Sequence, residues 1–439
     1  LCALALLTLG VVMVNSAGMS IGGGNGTGVG SAGGAPTVSV ESLLLSRSTV
    51  YMVIAVAAMS VAALFPVRRW LLALAGAGAP GGPTAYASSA NAPSGWQRKG
   101  LWIIAGLLIA FCALAYLPGI GRPANGSHRW IGVVIPGLGD QRMQPSEVAK
   151  WGMIVAMAWY AASMGPALRS FSRGLAPALL AIAGVAGFVI LEDLGTGALL
   201  GLVAVLILLL GGARFAHFAA FLPFIAGGLA AAILTSDYRM RRLETWFNPY
   251  LDPQGAGYHV IQSLTAIANG QVFGRGLGHG LQKFGYLPED QTDFIFAVIC
   301  EELGLLGAGA VVFLYLLMIW AGLAIVRRQR EAIAKLVAFG VIATLGIQAT
   351  VNLMVVTALG PTKGIALPLL SSGGTGWILT ATCLGLLMAL DRGAVEAEEA
   401  DAASAEPSAQ PLALQPVIVE AKPGMARPEP SPSPATATA

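Results

Sequence analysis

The chain has 439 residues, 56% of them hydrophobic and only 11% charged, with a mean hydropathy of +0.72. Soluble domains are about 25% charged, so this composition excludes an ordinary soluble protein and predicts an all-α, polytopic membrane helix bundle. The formal charge of +3 carries little information, because location matters more than the sum, and no nucleic-acid partner is expected.

Ten apolar spans are predicted, at about 1–14, 48–66, 101–119, 147–164, 175–192, 196–212, 215–235, 293–326, 335–359 and 374–391. Each interior span is near the ~20 residues needed to cross a bilayer, and the eighth is longer, which predicts tilt or protrusion. The first run starts at Leu1 without a Met and reads as part of a first helix, with a signal-peptide hydrophobic region as the rival. A Gly/Ser-rich stretch follows it, and residues 79–95 are similar in composition; both predict flexible linkers. Residues 1–392 make the membrane domain, with a large extracytoplasmic loop at 236–292. Residues 393–439 are rich in Ala, Glu, Pro and Ser and predict a disordered cytoplasmic tail. Cys2, Cys112, Cys300 and Cys383 lie in apolar stretches with no CxxC or Cys/His cluster, so they read as small buried hydrophobes. The four histidines show no metal-ligand spacing.

Basic residues set the expected orientation. With the N-terminus inside, twelve fall on inner loops, including Arg68, Arg98, Arg173, Arg327 and Arg392, and five on short outer loops, namely Arg47, Arg122, Arg129, Arg142 and Lys363. This asymmetry predicts that both termini are cytoplasmic. The outer loop still carries Arg239, Arg241, Arg242, Arg275 and Lys283, which suggests an anionic partner there. The run Arg239 to Trp246 fits an interfacial helix.

Four segments could carry chemistry. In NGSHRWIGVVIPGLGDQRMQPSEVAKWG (125–152), Pro145 suits the first turn of a helix that Gln144 or Ser146 could help cap. Glu147 and Lys150 share a face of that helix, either as a helix-start ion pair or as an anion site with Arg142. In LEDLGTG (191–197), Asp193 is either a turn residue or a site acid. GRGLGHG (274–280) lacks the βαβ context of a nucleotide loop and reads as flexible backbone near a ligand. In residues 351–377, Pro361, Gly364, Pro368, Gly373 and Gly374 interrupt an apolar region whose sole charge is Lys363; irregular backbone at membrane depth is tolerated only against protein or a wet cavity. Asp293 sits where the outer loop enters the eighth span, with Glu301 and Glu302 two turns further in. Acids at that depth cost roughly 2.5–3.5 kcal/mol each and usually mark a site facing a cavity. The plainer reading of Asp293 or Thr292 is a helix N-cap.

The motifs NGSHRWI, QPSEVAK, DLGTG, DPQGAGYHVIQSL, YLPEDQTDFIFAVICEELG and PTKGIALPLLSSGG, in this order over about 100–391, resemble the SEDS family (shape, elongation, division, sporulation), the membrane peptidoglycan polymerases that include FtsW and RodA. PTKGI and QKFGYLPE are more similar to the FtsW branch. Two departures stand out. Ser372 lies where the family often has Tyr, and Glu192 where it often has Pro.

The resemblance implies a glycosyltransferase using lipid II as substrate, with a sugar hydroxyl attacking an anomeric carbon and polyprenyl pyrophosphate leaving. It implies catalysis at Asp293, which matches the aspartate of the family's TDFIF-like motif. A carboxylate at the membrane surface can serve as general base, and a pyrophosphate calls for cations such as Arg142 and Lys150. Gln144, Ser146, Glu147, Asp193 and Lys363 complete the candidate substrate-binding set. Asp193 and Glu147 could orient those cations or hold a divalent ion, Mg or Mn; no organic cofactor is expected. The implied partners are a class B penicillin-binding protein (a transpeptidase) and other division proteins. The implied setting is the bacterial inner membrane, multi-pass, with the active site facing outward. A lipid II flippase or transporter, a RodA-like elongation polymerase and a non-catalytic scaffold are the alternatives. A transporter would spread charged groups through the midplane, and a scaffold would not need Asp293.

Overall fold

The computed structural model describes residues 1–18, 46–74, 95–122, 128–135, 139–255, 257–284, 286–288, 291–361, 364–372 and 374–405. Ten helices occupy the ten predicted spans: α1 (Cys2–Ala17), α2 (Arg47–Leu64), α4 (Gly95–Ala113), α5 (Pro145–Met164), α6 (Ala176–Glu192), α7 (Leu194–Leu210), α8 (Phe215–Leu234), α11 (Ile295–Arg328), α12 (Ala332–Val356) and α13 (Thr375–Ala405). Between them lie α3 (Val67–Leu74), α9 (Asp237–Phe247) and α10 (Tyr258–Gly270). Among the described residues, six helices are long and apolar enough to cross a membrane, and α1 and α7 are shorter apolar helices. The four cysteines are free thiols, buried or half-buried.

The compact unit Leu1–Val395 is built around α5, α7 and α12, which pack on one another while α4, α6 and α11 pack around them. Small residues allow the close approach. Ala149, Ala156, Ala158 and Ala161 of α5 and Ala204 of α7 are buried, and membrane interfaces favour such side chains because apolar burial against lipid gives no driving force. At one end of the bundle the basic residues find partners. Arg68 pairs with Glu331, Arg328 with Asp391 at 3.2 Å, and Arg392 donates to the Leu64 carbonyl at 3.1 Å.

Several elements differ from expectation. Residues Ile131–Ile135 and Gly139–Met143 form an antiparallel hairpin, Ile131 opposite Met143; the alternating Ile131, Val133 and Ile135 favour a strand. The short α3 follows Pro66, which ends α2 by excluding the helical conformation at Phe65. The outer loop is structured, with α9 covering the predicted interfacial run. The last helix continues to Ala405, so 393–405 are helical rather than disordered: Ala and Glu dominate this stretch and both favour helix. The rest of the predicted tail, 406–439, lies outside the described residues, as do both Gly/Ser-rich linkers apart from their ends.

The length of the eighth span also has a local cause. Gly304 has φ 66° and ψ −163° inside α11, a conformation open only to glycine. The break leaves amides at Leu305 and Leu306 to donate to the carbonyls of Gln271 and Val272. The segment beyond the break, 305–328, is itself long enough to cross at about 1.5 Å per residue.

Candidate active site

A cavity of about 860 Å³ opens at the bundle end opposite the Arg68–Glu331 pair. Its wall includes Gln144, Glu147 and Lys150 from the start of α5, Asp193 between α6 and α7, and Asp293 at the entry to α11. Five of the predicted site residues therefore meet. Ser146 is buried and lines a smaller pocket beneath. Arg142 is exposed on the second strand, opposite Gly132, outside the cavity wall. Lys363 lies outside the described residues.

The ion pair at the start of α5 is present. Lys150 Nζ donates to Glu147 Oε2 at 2.8 Å and to Gln348 Oε1 of α12 at 3.1 Å, with the lysine only 1% exposed. Gln348 in turn donates to the Ala366 carbonyl at 2.9 Å. A buried ammonium is thus held at the cavity wall by two acceptors from two helices. Pro145 occupies the first turn as expected, but Gln144 caps by position only: its amide donates to Ser146 Oγ at 2.9 Å and to Asp193 Oδ2 at 3.3 Å. Asp193 is the N-cap of α7, accepting from the Thr196 N–H at 3.1 Å and the Thr196 hydroxyl at 2.7 Å. The turn reading of LEDLGTG therefore holds, and the turn forms part of the cavity wall.

The N-cap position of α11 is Phe294, one residue past Asp293, with no side-chain cap hydrogen bond from Phe294. The backbone of Asp293 is held by Asn352 of α12 and by the irregular segment that follows α12. Asn352 Nδ2 donates to the carbonyls of Asp293 (2.8 Å) and Ile365 (2.7 Å). Ser371 Oγ donates to the Thr292 carbonyl at 2.6 Å and accepts from the Leu367 N–H at 2.7 Å, and the Ser372 N–H donates to the Gln291 carbonyl at 2.7 Å. A Cβ on Gly364 would strike the Asp293 carboxylate. The stretch from Gly364 to Ser372 is thus a cradle for Asp293. Removing the clamp with Asn352→Ala should cut activity on the order of 10²-fold, because reacting groups tolerate little more than 1 Å of misplacement. Turnover measured beside thermal stability checks this; unchanged turnover would show that the clamp is not needed.

Of the two cations expected to meet an anion, Lys150 lines the cavity and Arg142 does not. Arg241 and Arg242 of α9 and Arg129 of the segment before the hairpin line the cavity with Lys150. The basic character of α9 was visible in the sequence, but not which face of it meets the cavity. His259 of α10 also lines it, stacked on Phe294 with ring centroids 5.7 Å apart; nothing in the sequence singled it out. Glu301 and Glu302 are fully buried away from the cavity. They accept from the backbone N–H groups of Leu281 and Gln282, and of Gly278 and Gly280. The glycine-rich loop is therefore wound onto these two acids and does not line the cavity.

Among the described residues no three His, Cys, Asp or Glu side chains are grouped to hold a metal ion. Mg²⁺ is commonly held by one or two carboxylates plus substrate phosphates, so this donor set fits an ion shared with a bound pyrophosphate better than one in a protein-built cage.

The profile of the cell cycle protein family FtsW/RodA/SpoVE matches residues 90–395. Stage V sporulation protein E of Bacillus subtilis is 39% identical over 294 residues, covering 65% of this chain and 78% of that protein. A probable peptidoglycan glycosyltransferase FtsW of Geobacter metallireducens is 37% identical, covering 67% and 77%. One of Thioalkalivibrio sulfidiphilus is 35% identical over 404 residues, covering 90% and 89%. Among solved structures, a chain from work on the structural coordination of polymerization and crosslinking by a peptidoglycan synthase complex aligns with a TM-score of 0.65 and 24% identity, covering 90% of this chain and 96% of that one. The rod shape determining protein RodA of Thermus thermophilus aligns with a TM-score of 0.54 and 23% identity, covering 89% and 94%. At these identities the structural likeness establishes the fold alone.

Proposed function

The chain belongs to the FtsW/RodA/SpoVE family, and on that premise we propose that it is a membrane peptidoglycan glycosyltransferase that polymerises lipid II, a disaccharide-pentapeptide carried on a polyprenyl pyrophosphate, in cell division. The observation that carries this reading is the shared cavity, whose wall brings Asp293 together with four basic side chains, Lys150, Arg129, Arg241 and Arg242, beside four further acids, Glu147, Glu192, Asp193 and Asp252.

In the proposed reaction a sugar hydroxyl of one lipid II attacks the anomeric carbon of another. Asp293 accepts the hydroxyl proton as the new C–O bond forms. The bond from the anomeric carbon to pyrophosphate breaks on the opposite face, so the configuration inverts. The departing pyrophosphate gains no proton in this step, and the cations offset its charge. A divalent ion, Mg or Mn, would be held by Glu147 or Asp193 and would help neutralise the same group. Twelve basic residues on the inner loops against five on the short outer loops support a cavity facing outward and both termini in the cytoplasm. A class B penicillin-binding protein is the proposed partner, because a polymerised strand needs a transpeptidase to crosslink it. A transporter fits less well: Lys150, Asp193 and Asp293 gather at one end of the bundle rather than along the midplane.

Purified protein and lipid II, with and without that transpeptidase, should give glycan strands on a gel; lipid II left intact in both would reject the proposal. Lys150→Met keeps the side-chain volume and removes the cation. It should lower kcat/KM for lipid II on the order of 10²-fold. Identical kinetics across lipid II concentrations would remove Lys150 from the site.

A further inference from the structure

Glu192 ends α6 next to the capping Asp193, and it lines both the large cavity and the smaller pocket. Oε1 accepts from the Tyr116 hydroxyl at 2.6 Å and Oε2 from the His128 backbone N–H at 2.9 Å. The Tyr116 ring stacks on His128 with centroids 5.7 Å apart, and meets Phe188, one turn back on α6, edge-on at 6.0 Å. The end of α4, the end of α6 and the segment before the hairpin are therefore tied together at one carboxylate.

The residue next to His128 is Arg129. It lines both the large cavity and the smaller pocket beneath, and its Nε is buried with no hydrogen-bond partner among the described residues. A buried guanidinium N–H without an acceptor is costly, and here the side chain borders the space a ligand would fill. On its far side the segment is anchored by the Arg122 N–H to the Trp130 carbonyl at 2.9 Å and by the Gly132 N–H to the Ile120 carbonyl at 3.0 Å. On the near side of Arg129, Glu192 holds the adjoining backbone at His128.

We propose that Glu192 is a positioning residue that fixes Arg129 in the cavity wall, where Arg129 Nε donates to the pyrophosphate of lipid II. This rests on the lipid II reading above but not on Asp293 being the base. A position where the family often has proline, which can accept no hydrogen bond through its side chain, has here become an anchor.

The test is a binding cycle with fluorescent lipid II in the Asp293→Asn background, which holds substrate without turnover on the proposed mechanism. Glu192→Ala should weaken binding about tenfold, Arg129→Gln by a similar factor, and the double variant no more than either alone. Glu192→Gln keeps one acceptor oxygen and should recover most of the affinity. Tyr116→Phe removes one of the two bonds without touching the carboxylate, and should give a smaller loss if Glu192→Ala fails to fold. Unchanged binding in Glu192→Ala, or losses that multiply in the double variant, would overturn the proposal. Turnover by Asp293→Asn would instead count against the base assignment and would leave the cycle readable from initial binding.

Discussion

Asp293→Asn should lose on the order of 10²–10⁴ in polymerisation rate, the usual contribution of a positioned general base, while melting within experimental error of the wild type. Asparagine keeps the size of the side chain and can still contact the Gly364 cradle. The clamp from Asn352, Ser371 and Ser372 acts on the backbone of residues 291–293, so it survives the substitution. Capping cannot account for a loss, because asparagine caps a helix about as well as aspartate and the N-cap position of α11 is Phe294. The rate is read as glycan strand formation on a gel at several lipid II concentrations. Full activity in a folded variant would move the proton acceptor elsewhere.

Lys283→Ala should destabilise the protein by about 3–5 kcal/mol, the cost of leaving one member of a buried ion pair alone. Both side chains of the Lys283–Glu302 pair are fully buried, 2.7 Å apart. Lys283 also donates to Ser16 Oγ at 3.0 Å, and Ser16 Oγ donates to Glu302 at 2.7 Å. One carboxylate therefore ties α1, the glycine-rich loop and α11 together. Removing the lysine strands that charge, and the thermal transition should fall sharply. Neutralising both ends, in Lys283→Met with Glu302→Gln, should recover much of the loss, because the cost lies in the unpaired charge. A melting temperature unchanged in Lys283→Ala would contradict this account.

The spans were legible because apolar runs of about 20 residues have one solution in lipid. The acids were legible as exceptional, but not in their separate roles. Asp293, Glu301 and Glu302 lie within three turns on one chain segment, yet the kink at Gly304 and the path of residues 271–283 decide that only the first meets the cavity. Hydropathy registers the cost of an acid at depth and is silent on what it faces. Lys150 could be read either as an ion pair or as an anion site; the ion pair with Glu147 is present, and it holds the ammonium at the cavity wall. Arg142 is close in sequence to the start of α5. The hairpin turns it outward, and Arg129, thirteen residues earlier, lines the cavity instead. The contributions of Arg241, Arg242 and His259 depend on how α9 and α10 fold back over the bundle, a long-range arrangement that no local pattern encodes.

The central claim is that this cavity transfers sugars rather than moving lipids. Its most direct test is a stoichiometry: purified protein in liposomes with labelled lipid II, following polymer and free polyprenyl pyrophosphate together, with Asp293→Asn as the blank. The account predicts one pyrophosphate released for each disaccharide added to a strand, and neither product from the blank. Lipid II crossing the bilayer with no polymer and no free pyrophosphate would contradict it.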